Sequence, residues 1–292
     1  AALWGGAFIF LRSVSPVFGA VPTAGTRVLI GGSFLLGWFA LTRYPMRWRG
    51  FNRHYAVVGT FMCAIPFSLY GFAAQHIPGS YLAIFNASTP LWGAALATLL
   101  LGERLTPVKL LGLSMGVAGV GLVAGRGGAD TDSLFAVAVL ACLGATLCYA
   151  IGSTYVKRWA SHTEPRAVAA ASQLLGGVLL LPFWFIDPPP SSIETSTVID
   201  LLGLAVLCTA MAYLLYYRLI ADVGPSRTLT VSFLIPPFAM LWGHLFLDEA
   251  VTLTMVAGTL IVIAGTLLVV RSAPSVARRE EAREPVGAVA DG

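Results

Sequence analysis

Leu101-Gly102-Glu103-Arg104-Leu105-Thr106 decides the fold of this 292-residue chain, because its frame returns 146 residues later as Leu247-Asp248-Glu249-Ala250 followed by Thr252. Pro90 and Pro236 precede the two glutamates in the same register. Gly112 and Gly119 follow the first glutamate as Gly258 and Gly265 follow the second. Upstream, Gly31 maps to Gly177, Ala64 to Ala210, Tyr70 to Tyr216 and Ser80 to Ser226. A one-residue shift pairs Trp4 with Tyr149, Gly5 with Ala150 and Arg12 with Lys157. Small residues coincide by chance in any apolar chain; a Pro, a Glu and a Thr in one frame mark an internal repeat.

The charges show what each repeat contains. Hydrophobic residues make up 57% of the chain and charged residues 11%, with a mean hydropathy of +0.80, against roughly 25% charge in a soluble domain. Charge-free stretches run 28–42, 55–75, 79–101, 110–125, 133–156, 167–186, 201–217, 228–247 and 250–270, after an apolar start at 1–11. These are ten candidate spans, each near the ~20 residues of a membrane helix. A soluble helical core would need charged outer faces, which these segments lack. The chain starts without Met and its first span looks clipped, so the rest of that helix is expected upstream.

Five spans per repeat is an odd number, so the second repeat enters the membrane in the opposite sense. The expected fold is all-α and integral to the membrane: ten transmembrane helices as two inverted five-helix repeats around a central cavity. The first repeat covers 1–126 and the second 127–271, and residues 272–292 form a charged, flexible tail. Inverted repeats underlie alternating access, which points to a secondary transporter rather than an enzyme or a scaffold. The loops after spans 2, 4, 6 and 8 and the C-terminal tail hold 15 of the 18 Lys and Arg; the other side holds Arg12, Arg27 and Arg126. By the positive-inside rule both termini are cytoplasmic, in a multi-pass protein of the cell inner membrane. The pI near 9.0 is then a topology signal toward anionic headgroups, not a nucleic-acid surface.

Leu3-Trp4-Gly5, Pro90, Leu101 to Thr106 and Gly112 resemble one EamA repeat, and Tyr149-Ala150, Pro236, Leu247-Asp248-Glu249 and Gly258 resemble a second. The chain thus resembles, over its whole length, the drug/metabolite transporter superfamily of EamA type. The resemblance implies ten helices, a central cavity and export of small metabolites such as amino acids. The second half departs from the first with Asp248-Glu249-Ala250 in place of Gly102-Glu103-Arg104, so the two glutamates need not do identical work.

Pro90 and Pro236 interrupt helical hydrogen bonding inside their spans, where transporters place substrate, and are hinge candidates. Asn86, Ser88 and Ser232 lie about a turn away. Tyr149 and Tyr213 are too deep for the aromatic belt at the interface. With Trp4, Phe67, Tyr70, Ser153 and Tyr216 they suit an aromatic pocket with a few hydroxyls. Glu103 and Glu249 are read as anchors or gates at opposite ends, and His244 as a gate residue paired with Asp248. Every Lys and Arg is placed near a span end, leaving the midplane without fixed charge and favouring neutral or zwitterionic cargo. A sugar-phosphate or nucleotide-sugar exchanger, or a drug exporter, is the alternative within the superfamily. No Walker A loop, GxSxG or HExxH occurs, and the cysteines form no CxxC pair, so no cofactor or metal is expected. The expected partners are a small-molecule substrate and the lipid bilayer. Glycine faces in spans 5 and 10 are expected to pack on each other within a monomer.

Overall fold

The computed structural model describes residues 1–44, 52–126, 133–161, 163–224, 228 and 230–272. Arg47, Arg49, Arg227, the start of the second repeat at 127 and the tail after Ser272 lie outside them. Among the described residues every regular element is helical. Eight helices are long and apolar enough to cross a membrane: α2 (Ala20–Leu41), α3 (Arg53–His76), α4 (Gly79–Leu100), α5 (Pro107–Gly125), α6 (Ser133–Trp159), α7 (Pro165–Phe185), α8 (Thr195–Val223) and α10 (Leu253–Arg271). Two shorter apolar helices among the described residues are α1 (Ala2–Phe18) and α9 (Val231–Leu247). Leu99, Val117, Phe185 and Leu253 are largely exposed. In water such a surface would aggregate; in a bilayer it is the lipid-facing side.

The helices pair reciprocally between halves. α2 packs on α7 and α5 on α10, so these helices meet their own repeat counterparts. α1 packs on α9 and α8, while α6 packs on α4 and α3. This is the pattern two-fold-related halves produce. Local geometry repeats too: α3 carries a π-helical segment at Thr60–Ala64, and α8 one at Gly203–Met211. The 146-residue register sets the first inside the second. The motif that opened the sequence reading is a helix C-cap in both halves. Gly102 (φ 66°) and Asp248 (φ 53°) are left-handed, and the Glu103 and Glu249 N–H groups bond back to the carbonyls of Ala97 and Gly243. Asp tolerates this conformation better than most side chains, so Asp for Gly leaves the following glutamate in place.

α5 and α10 meet through glycine. A Cβ built at Gly112 would lie 2.6 Å from the Gly265 carbonyl, and one at Gly119 would lie 2.9 Å from the Gly258 carbonyl. Gly112→Leu is therefore expected to destabilise the protein by about 1–3 kcal/mol through overpacking. A melting temperature in detergent equal to wild type would contradict this.

Candidate functional site

A cavity of about 430 Å³ lies between the halves. Trp4, Phe67, Tyr70, Asn86, Pro90, Tyr149, Ser153, Tyr213 and Ser232, all picked from the sequence, line it, together with Phe8, Leu11, Arg27, Met62 and Thr89. Two candidates do not. Ser88 is buried, with its hydroxyl on the Phe85 carbonyl at 2.7 Å. Tyr216 lines a neighbouring cleft with Leu3 and Leu219 and reaches the main site only by packing its ring on Trp4 at 5.1 Å. The aromatic walls brace one another: Tyr70 stacks on Tyr149 at 6.3 Å, Phe8 meets Tyr70 edge-on at 5.7 Å, and Trp4 meets Tyr213 at 6.2 Å. The Tyr70 hydroxyl donates to Asn86 Oδ1 at 3.0 Å, which fixes the amide in the wall.

Pro90 and Pro236 behave differently. α4 is helical from Gly79 to Asn86, turns at Ala87 and Ser88, and resumes at Thr89. Pro90 has no N–H to give, and the Asn86 carbonyl accepts the Thr89 hydroxyl instead, at 2.7 Å. In α9, Pro236 and Pro237 sit inside an unbroken helix. The sequence frame makes the prolines equivalent; among the described residues the helix turns just before Pro90 and runs unbroken through Pro236 from Val231.

Arg27 corrects the reading of the charges. Taking charge-free stretches as spans started the second span at residue 28, but α2 starts at Ala20. Arg27 therefore lies about 10 Å along the helix at 1.5 Å per residue. It is 6% exposed. Its Nε donates to Thr209 Oγ1 at 2.8 Å and its guanidinium lies 4.0 Å from the centre of the Phe67 ring. The site is not free of fixed charge. A window that tolerates one charge would have found it, since the Ala20–Leu41 window keeps a mean hydropathy of 1.4 with Arg27 inside.

One end of the bundle is closed by bonds between helices. Arg12 Nη1 donates to the Ala74 carbonyl at 2.8 Å, Gln75 Nε2 to the Ser15 carbonyl at 3.0 Å, and the Val21 N–H to Asp187 Oδ2 at 3.2 Å. Ser13 donates to Asp200. Glu249 accepts the Gly79 N–H at 2.7 Å, the Ser80 N–H at 3.1 Å and the Ser80 hydroxyl, capping the start of α4. Cavity residues nearest this end (Leu11, Arg27, Phe67, Tyr70) are buried, whereas Ser153 toward the opposite end is exposed. At that opposite end Glu103 pairs with Lys109 at 3.4 Å and with Lys157 at 3.2 Å. His244 does not pair with Asp248 as expected. Its Nδ1 lies 3.3 Å from the Glu249 carbonyl, because the left-handed turn at Asp248 carries the chain back over the last turn of α9.

A family model for the EamA-like transporter family matches residues 1–125 and again 136–271. The uncharacterized transporter YvbV of Bacillus subtilis (strain 168) is 28% identical, over 80% of this chain and 77% of its own. Protein PecM of Dickeya dadantii (strain 3937) is 24% identical, over 88% and 84%. A probable terminal-alkyne amino-acid exporter of Streptantibioticus cattleyicolor is 24% identical, over 72% and 69%. A solved crystal structure shares the fold with a TM-score of 0.65 over 96% of both chains, at 20% identity.

Proposed function

The chain belongs to the EamA-like transporter family, and from that premise we propose that it exports small metabolites of the amino-acid type by alternating access. The observation that carries this reading is the cavity itself. It lies between two reciprocally packed repeats, is walled by aromatic rings and hydroxyls, and is closed at one end by bonds between helices. Inverted repeats exchange conformations around such a site. With both termini cytoplasmic, the closed end faces outward and the cavity opens to the cytoplasm, the state in which an exporter loads. The name of the Streptantibioticus relative, a probable terminal-alkyne amino-acid exporter, supports the same cargo class. We read the working unit as a monomer in lipid, since the glycine faces of α5 and α10 are used within the chain.

Counterflow of radiolabelled amino acids in proteoliposomes tests the proposal, and an absence of counterflow across a broad panel would refute it. Tyr149→Ala removes the ring that meets Phe67 and Tyr70. It is expected to raise the half-saturation concentration about tenfold, with membrane expression unchanged, as loss of a buried aromatic contact in a pocket does. Wild-type uptake by this variant would remove the aromatic wall from the binding site.

A further inference from the structure

Arg27 keeps its proton at any physiological pH. No Asp or Glu among the described residues forms an ion pair with it. Its titratable neighbours are the phenols of Tyr149 and Tyr213 and the thiols of Cys63 and Cys208. Thr209 takes Nε and the Phe67 ring covers one face, and the Nη groups have no protein partner among the described residues. Arg27 lines the cavity. An ionised group held out of water without a partner is costly, and within membrane-spanning helices such a group marks a substrate path.

The repeat register adds an independent observation. Position 27 corresponds to 173, and Gln173 stands on α7, the helix that packs against α2. It is 1% exposed, and neither atom of its amide has a partner among the described residues. A Cβ on Gly31, one turn from Arg27, would touch both Gln173 Oε1 and Thr209, each at 2.9 Å. Two buried polar side chains thus occupy matching positions, and only the first half supplies a charge. The exchanger alternatives require a phosphate to be neutralised, which takes several cations or bidentate pairs; one guanidinium fork matches one carboxylate.

We propose that the Arg27 guanidinium is the anion subsite of the cavity and that the cargo is a small carboxylate with an apolar or aromatic body. This rests on the transporter reading above and replaces the charge-free midplane. No carboxylate lines the cavity among the described residues, so the subsite makes the cargo's carboxylate obligatory and its ammonium dispensable. An amino acid fits because of its acid end. The aromatic body lies against Phe67, Tyr70 and Tyr149, and the acid end faces the buried floor.

Binding to the detergent-purified full chain, read by thermal shift, tests this with 3-phenylpropionate, phenylalanine, 3-phenylpropionamide and 2-phenylethylamine as probes and with sodium phosphate and chloride as inorganic anions. The two carboxylates are expected to bind, and the amide and amine at least about tenfold more weakly, as loss of a charge-assisted bidentate bond implies. Arg27→Gln is expected to erase that preference, and Arg27→Lys to keep part of it. Equal binding of acid and amide by the wild type overturns the proposal. So does carboxylate binding that Arg27→Gln leaves unchanged, or Arg27 dependence confined to phosphate or chloride. The wild-type probe series decides the matter even where Arg27→Gln fails to fold. Arg27-dependent carboxylate binding without counterflow would refute the transport reading and leave this subsite standing. Counterflow of 2-phenylethylamine undiminished in Arg27→Gln would do the reverse.

Discussion

Glu249→Ala is expected to cut transport turnover about tenfold or more, since hydrogen bonds to a charged group contribute about 1.5–3 kcal/mol each. The carboxylate takes three of them from the first residues of α4, where unpaired N–H groups and the helix dipole both favour an anion. The bond joins the α9–α10 connection to the α3–α4 connection, across the boundary between repeats, at the closed end of the cavity. At the opposite end Glu103 instead pairs with the Lys109 and Lys157 side chains, so the two glutamates hold their ends differently, and removing the Glu249 clasp shifts the resting population. Two measurements follow: counterflow rate, and labelling of Leu11→Cys by a membrane-impermeant thiol reagent from the closed side. Slower counterflow with faster labelling is expected. A variant matching wild type in both would reduce Glu249 to a local helix cap.

The spans were legible in the sequence because lipid leaves little choice. Each backbone polar group must be bonded within the segment, so ten apolar stretches of helical length read as ten helices. The aromatic wall was legible for a related reason: Tyr149 and Tyr213 lie too deep for the interface, and so face protein or cavity. Arg27 was lost by the same reasoning that found the spans, because every charge was used as a boundary. Nothing in a one-dimensional pattern says that Thr209 and Phe67, far along the chain, will receive that charge. Ser88 and His244 failed through local geometry. One is drawn into the break in α4 and the other meets a carbonyl set by the turn at Asp248, and neither outcome follows from helical spacing.

The unequal prolines give the last expectation. An interior proline disfavours a continuous helix by about 3 kcal/mol. In α4 that cost appears as a turn at Ala87 and Ser88, stabilised by the Ser88 and Thr89 hydroxyls on the carbonyls of Phe85 and Asn86. Pro90→Ala restores an N–H that can bond the Asn86 carbonyl, and so favours one straight helix over the broken one. Asn86 and Thr89 line the cavity on either side of the break, and a hinge there moves the wall without unpacking α5 from α10. Pro90→Ala is therefore expected to lower kcat about tenfold while changing KM less than about twofold, the signature of a conformational step rather than of binding. Pro236→Ala acts on a helix that is already continuous and should change kcat less than about twofold. Equal losses in the two variants would mean that α9 bends as α4 does during the cycle. A change confined to KM for Pro90→Ala would place the proline in the binding wall and remove the hinge.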